Sequence, residues 1–196
     1  YDAVHMGGTD CADEDDSIYP GAKEKRNGDD DDCDGVADEY LIGAGDVVFA
    51  EFLCNPKNTP DSRGEWLEVR NTTDLPIDIK GWEIRRNTES FIVSSSVRIP
   101  PRGQRVLANS DNPGRNGGFV ADYEFDNSAF TLPNTTDETY TISFEALVVS
   151  SLTVQARSVQ EGISIGLDPR IVDGSRALDW SNWCVADTQI TSGDFG

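Results

Sequence analysis

Between Asp29 and Glu39 the chain reads DDDDCDGVADE, seven acidic side chains in eleven residues around one cysteine and one glycine. Asp30, Asp32 and Asp34 alternate, Gly35 follows, and Asp38 and Glu39 come shortly after. This is how a calcium loop opens. Alternate carboxylates point to one centre, and the glycine permits the sharp turn that brings the next backbone carbonyl, that of Val36, onto the same ion. The twelfth residue from Asp30 is Leu41, where an EF-hand would carry a bidentate Glu, so the closing ligand falls to Asp38 or Glu39. Carboxylates about 4 to 5 Å apart repel by several kcal/mol per pair at an effective dielectric of roughly 20, so the loop is not compact without a counter-ion. A divalent cation turns that repulsion into ligation. Hard oxygen donors without thiolate or imidazole select calcium over copper or zinc, and magnesium is disfavoured because it keeps its waters. The competing reading is a solvated acidic tail, the usual fate of a block of like charge.

The elements that must position this loop follow from texture and charge. The chain has 196 residues, enough for one substantial core or one core plus a small module, and its 37% hydrophobic content includes Trp, Phe, Val and Ile that a disordered chain would lack. Of the net charge of -20, residues 1–40 contribute -11 and the remainder -9. Such a field repels phosphate backbones and attracts cations, so no nucleic-acid partner is expected. No run of about 20 apolar residues exists, so no membrane insertion is expected either. With no initiator Met and no signal sequence ahead of Tyr1, the chain reads as a mature or excised fragment.

From Asp46 onward the texture changes. DVVFAEFL, EWLEVRN, GWEIRR, SFIVSS, QRVLANS, GFVADYEF and TYTISFEALVV are short alternating or β-branched runs separated by Gly, Pro, Asn and Asp turns, with no sustained 3.6-residue period. Seven or more such strands predict an all-β fold, a β-sandwich over 43–196 preceded by a loop-rich module over 1–42.

Upstream of the acidic run lies DCADEDDSIYPGAKE, Asp10 to Glu24. Together with the run it strongly resembles the aspartate-rich metal-binding motif repeated in bacterial surface and secreted proteins, down to the rare YPGA at Tyr19 to Ala22. Ala12 and Arg26 stand where that motif has Asp and Cys. The resemblance implies that Asp10, Asp13, Asp15 and Glu24 hold a second ion or share the first. With the motif's cysteine replaced by Arg26, Cys33 needs another partner; Cys11 is the nearest candidate, closing a loop of roughly 20 residues worth about 3 kcal/mol of chain entropy. The motif family has also been linked by name to copper, and His5 and Met6 precede the module, but a mobile terminal His and Met is the simpler reading of those two.

A second resemblance covers nearly all of residues 46–196. EFLCNPKNTPDSRGEWLEVRNTTDLPIDIKGWEI is similar to the start of the lamin-tail domain, an immunoglobulin-like sandwich of nuclear lamins and many bacterial extracellular proteins. Glu51 with Asn55 and Pro56, then Gly64, Glu65, Trp66, Glu68 and Asn71, then Ile79 to Trp82 carry the cadence. IPPRGQRVLANSD and the closing DWSNWCVADTQITSGDFG fit as well. Trp66 and Trp82 are expected as core anchors, with a carbohydrate-stacking platform as the alternative. Glu65 and Glu68, three apart on a strand, face opposite ways and cannot flank one glycosidic bond, so they read as solvated or turn-capping groups.

Four cysteines, none in a CxxC pair, point to disulfides and an oxidising compartment rather than a zinc site. Cys54 ends the first strand and Cys184 begins the last, so the expected set is Cys11 with Cys33 and Cys54 with Cys184, although four cysteines allow three connectivities and Cys33 with Cys54 would tie the modules together. NTT at Asn71 and Asn134 are sequons that matter only in a eukaryotic secretory pathway. One His and the absence of G-x-S-x-G, H-E-x-x-H or a phosphate loop argue against an enzyme. The expectation is a secreted or cell-surface structural or adhesive protein that binds calcium. The alternatives are a recognition module for proteins or glycans beside a missing catalytic domain, and a subunit that assembles with copies of itself.

Overall fold

The computed structural model describes residues 10–12, 14–25, 27–35, 41–171 and 173–185, and the chain divides into two compact units, Tyr1–Ile42 and Gly43–Gly196. In the second unit β1 (Val47–Leu53), β2 (Trp66–Asn71), β3 (Ile77–Asp78), β4 (Glu83–Arg86), β5 (Glu89–Ile92) and β6 (Arg98–Ile99) come first. They are followed by β7 (Gln104–Ala108), β8 (Tyr123–Glu124), β9 (Glu138–Phe144), β10 (Leu147–Val154), β11 (Ile165–Leu167) and β12 (Trp183–Val185). A six-stranded sheet runs β12-β11-β1-β2-β7-β8 and a four-stranded sheet runs β10-β9-β4-β5, with β3 and β6 as a small separate pair. All pairings are antiparallel except β7 with β8. This is an all-β, immunoglobulin-like sandwich. The helical pieces are single turns, α1 (Asp61–Gly64), α2 (Pro113–Asn116) and α3 (Gly174–Ala177).

A bulge in β1 sets the core. Val47, Val48 and Phe49 pair with Asn71, Arg70 and Val69, but the register shifts between Phe49 and Glu51, after which Glu51, Phe52 and Leu53 pair with Glu68, Leu67 and Trp66. Without the extra residue Phe49 and Phe52, three apart, would face opposite ways; with it both turn inward. Phe52 lies 4.9 Å and Phe49 6.1 Å from the Tyr140 ring on β9 of the other sheet. Phe130, Phe91 and Phe125 extend this aromatic file, with centroids 5.0 to 6.2 Å apart. Each such buried ring contributes about 1.5–3 kcal/mol.

The run TYTISFEALVV, which reads as one strand, is a hairpin. β9 and β10 pair along their length, and Glu145 takes φ 53° at the turn. GFVADYEF is mostly loop, with only β8 regular. β11 and β12 are too short for any periodicity to announce them.

Trp82 is 2% exposed and stacks on Phe144 at 5.2 Å. Trp66, 1% exposed, belongs to a satellite cluster with Leu53, Ala108 and Phe119. Its neighbour Leu67 pairs with the inward Phe52, so Trp66 points to the opposite face of the sheet. The segment carrying Phe119 covers it there. Neither ring offers a stacking platform.

Two expectations are corrected. Cys54 and Cys184 are not joined: Cys54 is buried and Cys184 exposed. β11 lies between β1 and β12, and two strand spacings of about 4.8 Å exceed the reach of a disulfide. Glu65 and Glu68 are not solvated; both are buried. Asn71 is fully buried and donates from Nδ2 to Leu75 O (2.6 Å) and Ile99 O (3.3 Å), so it ties the β2 exit to β6 and cannot accept a sugar.

Candidate metal centre

Among the described residues of the first unit Ala22 is the one apolar side chain that is buried, and turns do the positioning. Tyr19-Pro20-Gly21-Ala22 closes with Ala22 N–H on Tyr19 O at 2.8 Å and Gly21 at φ 83°. Pro second and Gly third is the composition of a type II turn, which needs a positive φ at its third residue. The turn is pinned to the acidic run by Tyr19 N–H on Asp31 O (2.9 Å) and Gly21 N–H on Asp32 O (3.2 Å). Cys11 and Cys33 are joined by a disulfide with Cα atoms 5.6 Å apart, closing the module around the run.

Within this frame the carboxylates of Glu24, Asp30 and Asp32 each bring an oxygen within 4.8 Å of the other two. Backbone donors hold them there. Asp32 N–H donates to Glu24 Oε1 (2.8 Å), Asp34 N–H to Asp32 Oδ1 (3.0 Å) and Asp30 Oδ1 (3.2 Å), and Gly35 N–H to Asp30 Oδ2 (2.9 Å). Gly35 sits at φ 98°, a conformation side-chain-bearing residues avoid. A carboxylate has about four lone-pair positions, so one or two backbone donors leave each group able to ligate. Glu24 is buried, while Asp30 and Asp32 are half-buried.

The alternation of Asp30 and Asp32 thus meets Glu24 from the preceding segment. Asp34 is exposed and contributes its N–H to this group. Asp10 is buried and accepts Ala12 N–H (3.0 Å), and Asp15 is exposed and accepts Ser17 N–H (2.9 Å). Asp15 is held below the ordinary Asp range by those Ser17 bonds. Neither joins the three-carboxylate group. Asp13, Val36, Asp38 and Glu39, together with His5 and Met6, lie outside the described residues.

Sequence reasoning missed Asp31. It is fully buried, accepts Lys25 N–H at Oδ2 (2.8 Å) and faces Lys25 Nζ across 3.4 Å. Its position between the two alternating aspartates was the available signal, since a residue out of phase with the ligands is free to point away from their centre. It anchors the loop while its neighbours face the centre.

The donor set decides which metal chemistry fits. Glu24, Asp30 and Asp32 offer carboxylate oxygen, the donor that suits hard divalent cations such as calcium, magnesium or manganese. In the sandwich, acidic groups are grouped differently. Glu51 and Glu68 face each other across β1 and β2; burial raises both, and burial with the Glu51 charge brings Glu68 to about 7. Burial brings Glu65 up to about 8 although it accepts Leu132 N–H (3.1 Å) and Asn109 Nδ2–H (3.4 Å). Arg86, itself buried, bridges Glu89 (2.6 Å) and Glu138 (3.2 Å) between strands. These are structural carboxyls inside packed sheets rather than an open site.

Two families match the chain. The model of a family described as a metal-binding motif matches residues 10–39, and that of the Lamin Tail Domain matches residues 42–159. Among curated proteins, no sequence matches the chain. Among the described residues, no helix is long and apolar enough to cross a membrane.

Proposed function

Since the chain belongs to the Lamin Tail Domain family, we propose that it is a non-enzymatic, extracellular structural or adhesive protein whose sandwich is joined to a calcium-stabilised acidic module. The observation that carries the calcium reading is the convergence of Glu24, Asp30 and Asp32, held by the backbone of the loop they ligate from. Calcium supplies the positive charge that lets three carboxylates share one centre. The protein supplies the scaffold: the Cys11–Cys33 bond and the Tyr19–Ala22 turn bring Glu24 to the aspartates, and Asp31 fixes the loop from behind. Asp10, Asp13, Asp15, Asp34, Asp38, Glu39 and the Val36 carbonyl are the remaining proposed ligands of this ion or a second one. The disulfide and the abundance of calcium outside cells support an extracellular setting.

Binding to the folded form alone stabilises it by RT ln(1 + [Ca]/Kd), so calcium at extracellular levels rigidifies the module. Calorimetric titration of the chelator-stripped full chain with calcium, and with magnesium in parallel, tests this. Saturable binding of one or two calcium ions with weaker magnesium binding is the expected result. An absence of calcium binding reduces residues 10–35 to a disulfide-closed acidic loop and leaves the sandwich as the sole functional part.

A further inference from the structure

We infer that Asn27 is a site of spontaneous covalent modification, at which the side-chain amide is lost to attack by the Gly28 nitrogen and replaced by aspartate or isoaspartate. The same tripeptide occurs twice, as Arg26-Asn27-Gly28 and Arg115-Asn116-Gly117, and the chain has no other Asn-Gly step. The fold leaves the first copy reactive and locks the second.

The reaction needs the Asn Cγ to meet the next backbone nitrogen, whose flank a glycine leaves open because it has no side chain. Both copies have the turn that arranges this. Asn27 Oδ1 accepts Asp29 N–H at 3.0 Å and Gly28 takes φ 88°. Likewise Asn116 Oδ1 accepts Gly118 N–H at 3.0 Å and Gly117 takes φ 102°. An asparagine bonded to the backbone two residues on folds its side chain over the intervening peptide. The N–H on Oδ1 is then in place to stabilise the negative charge that develops there as Cγ is attacked.

What separates the copies is the leaving nitrogen. Asn116 is 2% exposed, and its Nδ2 donates to Ser110 O and Phe119 O, each at 3.0 Å. Both amide protons are held, and turning the group toward Gly117 would strand two acceptors. Burial also keeps water from the nitrogen that must depart as ammonia. Asn27 is exposed. It stands in the connection between Glu24 and the acidic run, which is pinned at either end by Asp32 N–H on Glu24 and Lys25 N–H on Asp31.

The atoms balance with water as the co-reactant. The Gly28 nitrogen gives up its proton and bonds to Asn27 Cγ, the Cγ–Nδ2 bond breaks, and ammonia leaves, closing a succinimide ring. Water then opens the ring. Addition at Cγ yields aspartate, and addition at the backbone carbonyl yields isoaspartate, which carries the main chain through Cβ and Cγ. No electrons are exchanged. Either product adds one negative charge beside the run from Asp29 to Asp34, and isoaspartate also lengthens the chain between Glu24 and Asp30 by one methylene. Carboxylates that converge across that connection are thereby moved apart, which weakens calcium binding. This last consequence rests on the calcium reading above, whereas the modification does not.

The test incubates the full chain, with Cys11 and Cys33 joined, in calcium-free buffer at mildly alkaline pH, both folded and in urea. Samples are followed by peptide mass mapping with isoaspartate detection. In the folded chain the exchange of amide for carboxyl is expected at Asn27, with the Asn116 peptide unchanged; in urea both peptides should convert at comparable rates. Asn27→Gln keeps an amide but cannot close the same ring, and should lose the conversion. An Asn27 that stays unconverted in the folded chain, or an Asn116 that converts there as fast, would overturn the proposal. Calcium titration of fresh and aged chains then separates the two readings. Weaker binding in the aged chain, but not in aged Asn27→Gln, is expected. Unchanged binding in a fully converted chain removes the link to the ion centre, and a fresh chain that binds no calcium removes the calcium reading while the peptide map still decides the modification.

Discussion

The two units solve the same problem of chain entropy by different means. Residues 10–35 are organised by a disulfide, a type II turn and carboxylates that accept backbone N–H groups, with Ala22 the one apolar residue that is buried among the described ones there. Residues 43–185 are organised by an aromatic file between sheets, with buried carboxyls accommodated by strand pairing. A module too small to bury much apolar surface relies on a crosslink and a counter-ion, whereas a sandwich tolerates even unfavourably placed acids because its core outweighs them.

The largest expected effect is on the sandwich. Phe52→Ala removes the ring packed on Phe49, Tyr140 and Trp183 and should cost about 3–5 kcal/mol in denaturant unfolding followed by tryptophan fluorescence. If the cost were below that of a surface substitution, the core would not be the stabilising element of this unit.

Next comes the crosslink. Cys11→Ser should lose about 3 kcal/mol from the first unit, read as rapid protease cleavage within residues 10–35 while the sandwich unfolding midpoint stays put. A drop of that midpoint by a similar amount would erase the contrast between the units.

Acid titration sharpens it from the other side. Glu65 and Glu68 have folded-state values raised to about 8 and about 7 from 4.5, so the folded form holds its protons more tightly than the unfolded chain. Their contribution is full below about 4.5 and is lost as pH rises toward 7 and 8, by at most about 1.4 kcal/mol per pH unit per group. The sandwich should therefore unfold at higher denaturant at pH 5 than at pH 8, and Glu68→Gln should flatten the difference. A rise in stability over that interval would contradict the burial of these groups.

Asp30→Asn should weaken calcium binding, because the number of ligand charges tunes the affinity of a hard-ion site, with no change in sandwich unfolding. At the small end, Arg102→Ala breaks the exposed pair with Asp74 and should leave every one of these measurements unchanged.

How much of this was legible beforehand differs by region and for a physical reason. The turn at Tyr19–Ala22, the alternation of Asp30 and Asp32 and the need for Gly35 are local, because each depends on residues within a few positions of one another. Short alternating runs likewise announced an all-β sandwich. The burial of Glu65 was not legible, because its donors come from Asn109 and Leu132, and the pairing of Glu51 with Glu68 depends on a bulge that leaves no mark on VVFAEFL. Asn71 reads as a glycosylation site in sequence and proves to be a buried bracket between β2 and β6.

By itself, then, the sequence determined the fold class, the family cadence, and the location and hard-oxygen character of the acidic cluster, since periodicity, turn chemistry and ligand type are properties of short segments. Only the tertiary structure decided that Glu24 joins Asp30 and Asp32 while Asp34 supplies its backbone, that Asp31 turns inward, and that Cys54 and Cys184 never meet. Those outcomes depend on strand order and on contacts between distant segments, and β11 slipping between the first and last strands is enough to separate two cysteines that the chain's linear order would place together.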